Sequence, residues 1–192
     1  EMKRTIVYIL LAVILLSACG QSAPAASGPA TPDPLEIEQT ATIELTSSAF
    51  VQGEPIPAKH TCSGEDTSPQ LAWGEPPAGT QSFALIMDDP DAPGGTWVHW
   101  VFFNIPVNIR SLPEAFPSGD TFPDGSLGGN NNWGRTGYGG PCPPSGTHRY
   151  FFKLYALDEM LAINAGASKG ELEKAMVGHI LAYAELMGTF SK

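Results

Sequence analysis

Three places in the sequence carry residue types that could do chemistry together. Asp88-Asp-Pro-Asp-Ala-Pro93 supplies carboxylates in a proline-punctuated turn, His99 lies inside an apolar run, and His148-Arg-Tyr150 brings an imidazole and a phenol to the start of another run. Held in one pocket, imidazole N–H groups, the Tyr150 hydroxyl and nearby backbone N–H groups would offer converging donors for phosphate oxygens. A carboxylate in that pocket would repel a phosphate dianion. Asp89 therefore has to hold a histidine in place or receive a cationic amine, and a phosphoethanolamine-like zwitterion suits both halves. If a histidine must be protonated to bind the anion, affinity should fall above about pH 6.5, or higher where Asp89 favours the charged ring. Each cluster also has a plain structural reading. Asp-Pro-Asp is commonly a turn bonded to its own backbone, a histidine at a strand start is commonly solvated, and a buried His99 needs a partner for its ring.

Other chemistries fit less well. Hydrolysis needs an activated nucleophile, but the chain has no G-x-S-x-G elbow, and Ser145 near His148 sits in a turn without a third member to orient the base. No catalytic residue is expected, and the protein is read as a non-enzyme. Asp89, Asp91, His99 and His148 could in principle ligate Zn²⁺. Their spacing is not a ligand signature, so neither a metal nor another cofactor is expected.

The elements that must position these groups are strands. The 192 residues are 42% hydrophobic and 16% charged, with 21 Gly and 18 Pro, a balance that disfavours both a helical bundle and a disordered chain. One loop-rich, mainly β domain is the expectation. Ile43, Leu45 and Phe50 begin a strand-like alternation, while Ser82–Met87, Trp97–Ile105 and His148–Leu157 are apolar or aromatic runs bounded by turn residues. From Pro113 to Gly146 the chain is mostly Gly, Pro and Asn, and a stretch that long is either functional or a loose surface loop. Ser168 with Glu171 fits a capping box, and Leu172, Met176, His179, Ile180 and Tyr183 recur at helical spacing. This places His179 on the apolar stripe as a core histidine. Glu185–Phe190 alternates like a last strand, and no internal repeat is visible.

The first residues read as an address. Lys3 and Arg4 precede an apolar run from Thr5 to Leu16, too short for a comfortable membrane span, followed by Leu16-Ser-Ala-Cys19. That ending resembles the bacterial lipobox, in which the cysteine is acylated and becomes the mature N-terminus. The expected organisation is a lipoprotein signal peptide over 1–18, an Ala/Pro/Ser/Gly tether over 19–35 and one domain over 36–192, held by lipid on Cys19 at the extracytoplasmic face of a bacterial membrane. The formal charge is −10. Nucleic acid is therefore excluded as the main partner, and membrane attachment has to come from lipid because no basic patch supplies it.

Taken together, the motifs are specific. Asp89-Pro-Asp-Ala-Pro93, Trp97-Val-His99, Gly140-Pro-Cys-Pro-Pro144 and Gly146-Thr-His-Arg-Tyr150 resemble the phosphatidylethanolamine-binding protein family. Thr61-Cys-Ser-Gly-Glu-Asp66 with Ser68-Pro-Gln-Leu-Ala-Trp73 resembles its bacterial and archaeal branch, the Raf-kinase-inhibitor-like proteins. The resemblance covers about Thr42 to Phe190. It implies two antiparallel sheets, few helices with one near the C-terminus, and a small anion pocket where the motifs meet. The ligand-binding set it implies is Asp89, Asp91, Trp97, His99, Gly140, Pro143, Pro144, His148 and Tyr150. In that set Asp89 is the pocket acid, Asp91 supports the turn, His99 is the central histidine, His148 and Tyr150 are the second histidine and its tyrosine, and Pro143 and Pro144 wall the site. Gln70 and Cys142 depart from the family pattern at the rim.

With Cys19 taken by lipid, Cys62 and Cys142 remain in an oxidising compartment. Both lie in motifs that the family brings to one pocket, so the resemblance implies a disulfide between them, with two free thiols as the alternative. The implied partners are a phosphate-bearing small molecule or phospholipid headgroup and, through the lipid, the membrane. Because family members are also known as inhibitors, the alternative function is inhibition of an extracytoplasmic protease. A cytoplasmic kinase does not suit an exported chain.

Overall fold

The structure, a computed structural model, describes residues 41–192. The segments expected to form a signal peptide and a tether, with Cys19 between them, fall outside the described residues. Among the described residues nine strands form in chain order: β1 (Ala41–Thr42), β2 (Leu45–Thr46), β3 (Leu71–Trp73), β4 (Ser82–Asp89), β5 (Trp97–Pro106), β6 (Ser111–Leu112), β7 (Leu127–Gly129), β8 (Thr147–Leu157) and β9 (Ile180–Ser191). One α-helix, α1 (Lys169–Met176), lies among the described residues between β8 and β9. A six-stranded sheet runs β1-β9-β8-β4-β5-β7, and a three-stranded sheet runs β2-β3-β6. The fold is thus mainly β with two sheets, as expected, with one correction: β1 pairs parallel to β9, so the larger sheet is mixed.

The central strand β4 is buried along its whole length because both faces of the large sheet are covered. Phe83, Leu85 and Met87 pack with Trp100, Phe102, Phe152 and Leu154 against Leu45, Leu71, Trp73 and Leu112 of the small sheet. Ala84 and Ile86 face the other way, with Val98, Val101 and Phe103, against Leu161, Leu172 and Met176 around α1. This two-sided burial turns the usual alternation into a continuous apolar run. The two-residue period then divides the carboxylates at the end of β4 between the faces. Asp88 turns toward the α1 side, where Lys153 and Lys169 each place Nζ 2.9 Å from it. Asp89 turns to the opposite side.

The Ser168–Glu171 capping box is present at the start of α1. The helix ends sooner than the spacing predicts. Met176 is its last residue, and Ile180 and Tyr183 already belong to β9. His179 is not a core histidine: it is partly exposed in the turn between them, with Nδ1 2.9 Å from Asp158 and Nε2 3.3 Å from Glu159. Tertiary pairing of β9 along β8 outcompetes the helical periodicity here.

Candidate functional site

The floor of the site forms where β4, β5 and β8 end on one face. Asp89, the last residue of β4, is 3% exposed. Its Oδ1 accepts the Asp91 N–H at 2.8 Å, the side-chain-to-backbone turn that Asp-Pro-Asp favours, and its Oδ2 lies 2.8 Å from Nδ1 of His148. His148 and Tyr150 share a face of β8 with Phe152 and Leu154, which brings both to the Asp89 side.

His99 reaches that side through an irregularity in β5. Met87 pairs with Trp100 and Asp88 with Val98, leaving His99 as the extra residue of a β-bulge. Val98 packs on the α1 side and Trp100 on the other, so the bulge turns His99 into the site, as bulges beside functional sites often do. Nδ1 of His99 lies 2.6 Å from the Gly139 carbonyl. A carbonyl can only accept, so this nitrogen carries the proton and Nε2 keeps its lone pair. Burial pushes the His99 pKa below its ordinary 6.5, outweighing the Gly139 carbonyl and the nearby carboxylates, which act in the opposite direction. The upward shift expected from Asp89 is therefore not what His99 experiences. Tyr150 packs edge-on to His99, with ring centroids 5.2 Å apart at 89°. Burial, with Asp89 beside it, raises the Tyr150 pKa, so the phenol stays protonated. Its buried hydroxyl makes no hydrogen bond of good geometry among the described residues.

One wall is built from two distant loops. Cys62 and Cys142 form a disulfide with Cα atoms 5.4 Å apart. The Cys62 N–H donates to Pro141 O at 3.1 Å, the Gly140 N–H to Asp66 Oδ1 at 2.6 Å, and the Tyr138 hydroxyl to His60 O at 2.6 Å. A Cβ on Gly140 would stand 2.5 Å from both Asp66 Oδ1 and His60 O and 2.9 Å from Thr61 Cα, so the close approach of these loops requires glycine. The long glycine-rich stretch packs into the cavity wall and is not a loose loop. At the mouth stand Trp97 and Trp133, with ring centroids 5.5 Å apart at 77°, and Arg135.

The cavity between these elements measures about 380 Å³. Of the residues singled out in the sequence, Asp89, Trp97, His99, Gly140, Pro144, Cys62 and Cys142 line it. His148 supports Asp89 from behind, and Tyr150 supports His99. Asp91 points away onto Arg149, whose guanidinium lies 2.8 Å from it and holds the Asp91 carboxyl down at about 2. Pro143 is buried in the wall, without facing the cavity. Sequence reasoning assigned no role to Asp66, Trp133 or Arg135, which also line it. The available signal was the Asn-Asn-Asn-Trp-Gly-Arg run, an aromatic and a cation set in an otherwise polar loop.

A larger depression of about 570 Å³ beside α1 is lined by Ala162–Ala167 with Glu171, Lys174 and Ala175. Glu171 is committed to the Ser168 cap, so that depression lacks a comparable convergence of polar groups. Among the described residues no group of three or more His, Cys, Asp or Glu could hold a metal ion.

A family model for phosphatidylethanolamine-binding protein matches residues 46–191. A UPF0098 protein of the archaeon Methanothermobacter thermautotrophicus is 49% identical over 150 residues, which make up 78% of this chain and 99% of the relative. A UPF0098 protein of Aquifex aeolicus is 49% identical over 155 residues, 79% of this chain and 90% of that one. Among solved structures, the phosphatidylethanolamine-binding protein homolog CT736 of Chlamydia trachomatis superposes with a TM-score of 0.72 at 42% identity, covering 79% of this chain and 98% of that one. YbcL of E. coli, described as a member of the mammalian PEBP family, gives 0.73 at 34% identity, covering 79% and 99%.

Proposed function

The chain belongs to the phosphatidylethanolamine-binding protein family, and from that premise we propose that it binds a small phosphate-bearing or otherwise anionic molecule, such as a phospholipid headgroup, without turning it over. The observation that carries this reading is the cavity itself. Asp89, His99 and Gly140 come from three separate segments and converge on one space of about 380 Å³, within the range of small-molecule sites. Aromatic and proline side chains enclose it, and a disulfide with fixed loop-to-loop hydrogen bonds preorganises it, which lowers the ordering cost of binding. Turnover would need a nucleophile beside a base, and among the residues that line the cavity there is no serine or threonine, while both cysteines are joined in the disulfide.

The lipobox-like Leu16-Ser-Ala-Cys19 supports an extracytoplasmic location, with the domain tethered to a bacterial membrane by lipid on Cys19. A headgroup-binding pocket on such a tether would meet its ligand at the bilayer surface. Calorimetric titration of the purified protein with inorganic phosphate and phosphoethanolamine tests the reading. Saturable heat without product formation is expected, and no binding of either compound contradicts it.

A further inference from the structure

Two properties set the wall disulfide apart from a purely structural staple. Cys62 and Cys142 are both exposed, although Thr61 beside one and Pro141 and Pro143 beside the other are buried. A cation also stands next to the bridge: Nζ of Lys192 lies 4.0 Å from the Cys62 sulfur and 3.9 Å from that of Cys142. Exposed disulfides are open to attack by an external thiolate, whereas inaccessible ones resist it. An ammonium at that distance attracts the incoming thiolate and stabilises the one that leaves. In a chain of net charge −10, where Glu65 and Asp66 follow closely after Cys62, such a cation offsets a field that would otherwise repel thiolates.

The two loops are not held by sulfur alone. The turn around Cys62 is fixed by Thr61, whose Oγ1 donates to Ala58 O at 2.9 Å and accepts the Ser63 N–H at 3.2 Å, and whose carbonyl accepts the Gly64 N–H at 3.0 Å. Cys142 stands in Pro141-Cys-Pro-Pro144, whose rings restrict the backbone on both sides of it. Between the loops, the bond from the Tyr138 hydroxyl to His60 O is buried. The bonds beside the bridge, Cys62 N–H to Pro141 O and Gly140 N–H to Asp66 Oδ1, are less protected, since Cys62 and Asp66 are exposed and water can compete there. With the bridge open, the inner bond keeps the loops together while the outer ones break and re-form more often. The sulfurs then remain neighbours, and the disulfide can close again at high effective concentration.

We propose that Cys62–Cys142 is a thiol–disulfide exchange site, opened reversibly by an external dithiol with the help of Lys192, and that opening it loosens one wall of the cavity without unfolding the domain. A thiolate of the dithiol attacks one sulfur and forms a new S–S bond. The Cys62–Cys142 bond breaks, and its electron pair passes to the other sulfur, which leaves as a thiolate beside Lys192. The second thiolate of the dithiol then attacks the dithiol's own sulfur in the mixed disulfide, and the first cysteine leaves in turn. The dithiol ends as a disulfide, and the protein pair gains two electrons and the two protons that the dithiol gives up. The oxidised dithiol reverses the same steps. Both cysteines line the cavity, so the loosening acts on whatever molecule the cavity holds, and neither step depends on which molecule that is.

Folded wild type, Lys192→Gln and Lys192→Arg are incubated with dithiothreitol at neutral pH, alkylated cysteines are counted over time by mass spectrometry, and backbone amide exchange is followed by NMR. Reduction of the wild type should proceed in proportion to dithiothreitol and stay unchanged in urea below the unfolding transition, as attack on the folded state requires. Lys192→Gln should slow it about threefold or more, a difference that shrinks at high salt, and Lys192→Arg should restore it. A rate that climbs with urea as steeply as unfolding does, or one that Lys192→Gln leaves unchanged, overturns the exchange site. In the reduced protein the Cys62 and Gly140 amides should exchange about tenfold or more faster while those of β4 and β8 keep their protection, and reoxidation should restore the slow rates. Unchanged protection at Cys62 and Gly140, or protection lost across β4 and β8 as well, overturns the local loosening of the wall.

Discussion

Oδ2 of Asp89 and Nδ1 of His148 meet at 2.8 Å although 59 residues separate them, and Oδ1 of the same carboxylate takes the Asp91 N–H. Both oxygens of the floor acid are thus held before any ligand arrives. His148→Ala leaves a buried carboxylate oxygen without its partner, which costs about 1–3 kcal/mol. The urea midpoint should fall at an unchanged m-value, and an unmoved midpoint would show that the contact contributes nothing.

The Cys62–Cys142 disulfide closes a segment with a sequence separation of 80 between two loops of the cavity wall. Its contribution in the chain-entropy model is about 4 kcal/mol. Cys62→Ser/Cys142→Ser should melt well below the wild type, and thiol labelling of the unreduced, denatured protein should find neither cysteine free. Two reactive thiols at these positions would refute the bond.

His99 gives a pH signature. Its folded pKa lies below 6.5 because burial disfavours the charged ring, so the unfolded chain takes up the proton first as pH falls. The neutral ring's contribution to stability is complete above about pH 6.5 and is lost as pH falls from there through the folded pKa. An NMR titration of the His99 ring should show its inflection below 6.5. An inflection above that value would mean that the neighbouring carboxylates outweigh burial.

Lipidation is tested separately. Radiolabelled fatty acid should be incorporated into the protein in a bacterial host and be lost in Cys19→Ala, since the thiol is the acylated atom. A wild type that takes up no label contradicts the anchor and leaves the pocket unaffected.

The sequence announced what depends on local pattern. The apolar runs at Ser82, Trp97 and His148 became β4, β5 and β8, and Ser168 with Glu171 capped α1. It could not announce what depends on pairing between distant segments. The bulge that turns His99 inward is a mismatch in register with β4, invisible in β5 alone. The need for glycine at position 140 arises from His60, Thr61 and Asp66, far away in the chain. The place of Arg135 in the cavity lining likewise depends on the Asn131 turn docking beside His99. His179 shows the converse: its local spacing is helical, but β9 begins at Ile180 to pair with β8.

The most direct test of the account is a crystal structure of the protein soaked with phosphoethanolamine. The account places the molecule inside the cavity bounded by Asp89, His99, Gly140 and Trp97, with its atoms at hydrogen-bonding distance from the polar groups there. A cavity that holds only solvent while the protein is saturated with ligand, or a ligand bound elsewhere on the surface, would contradict it.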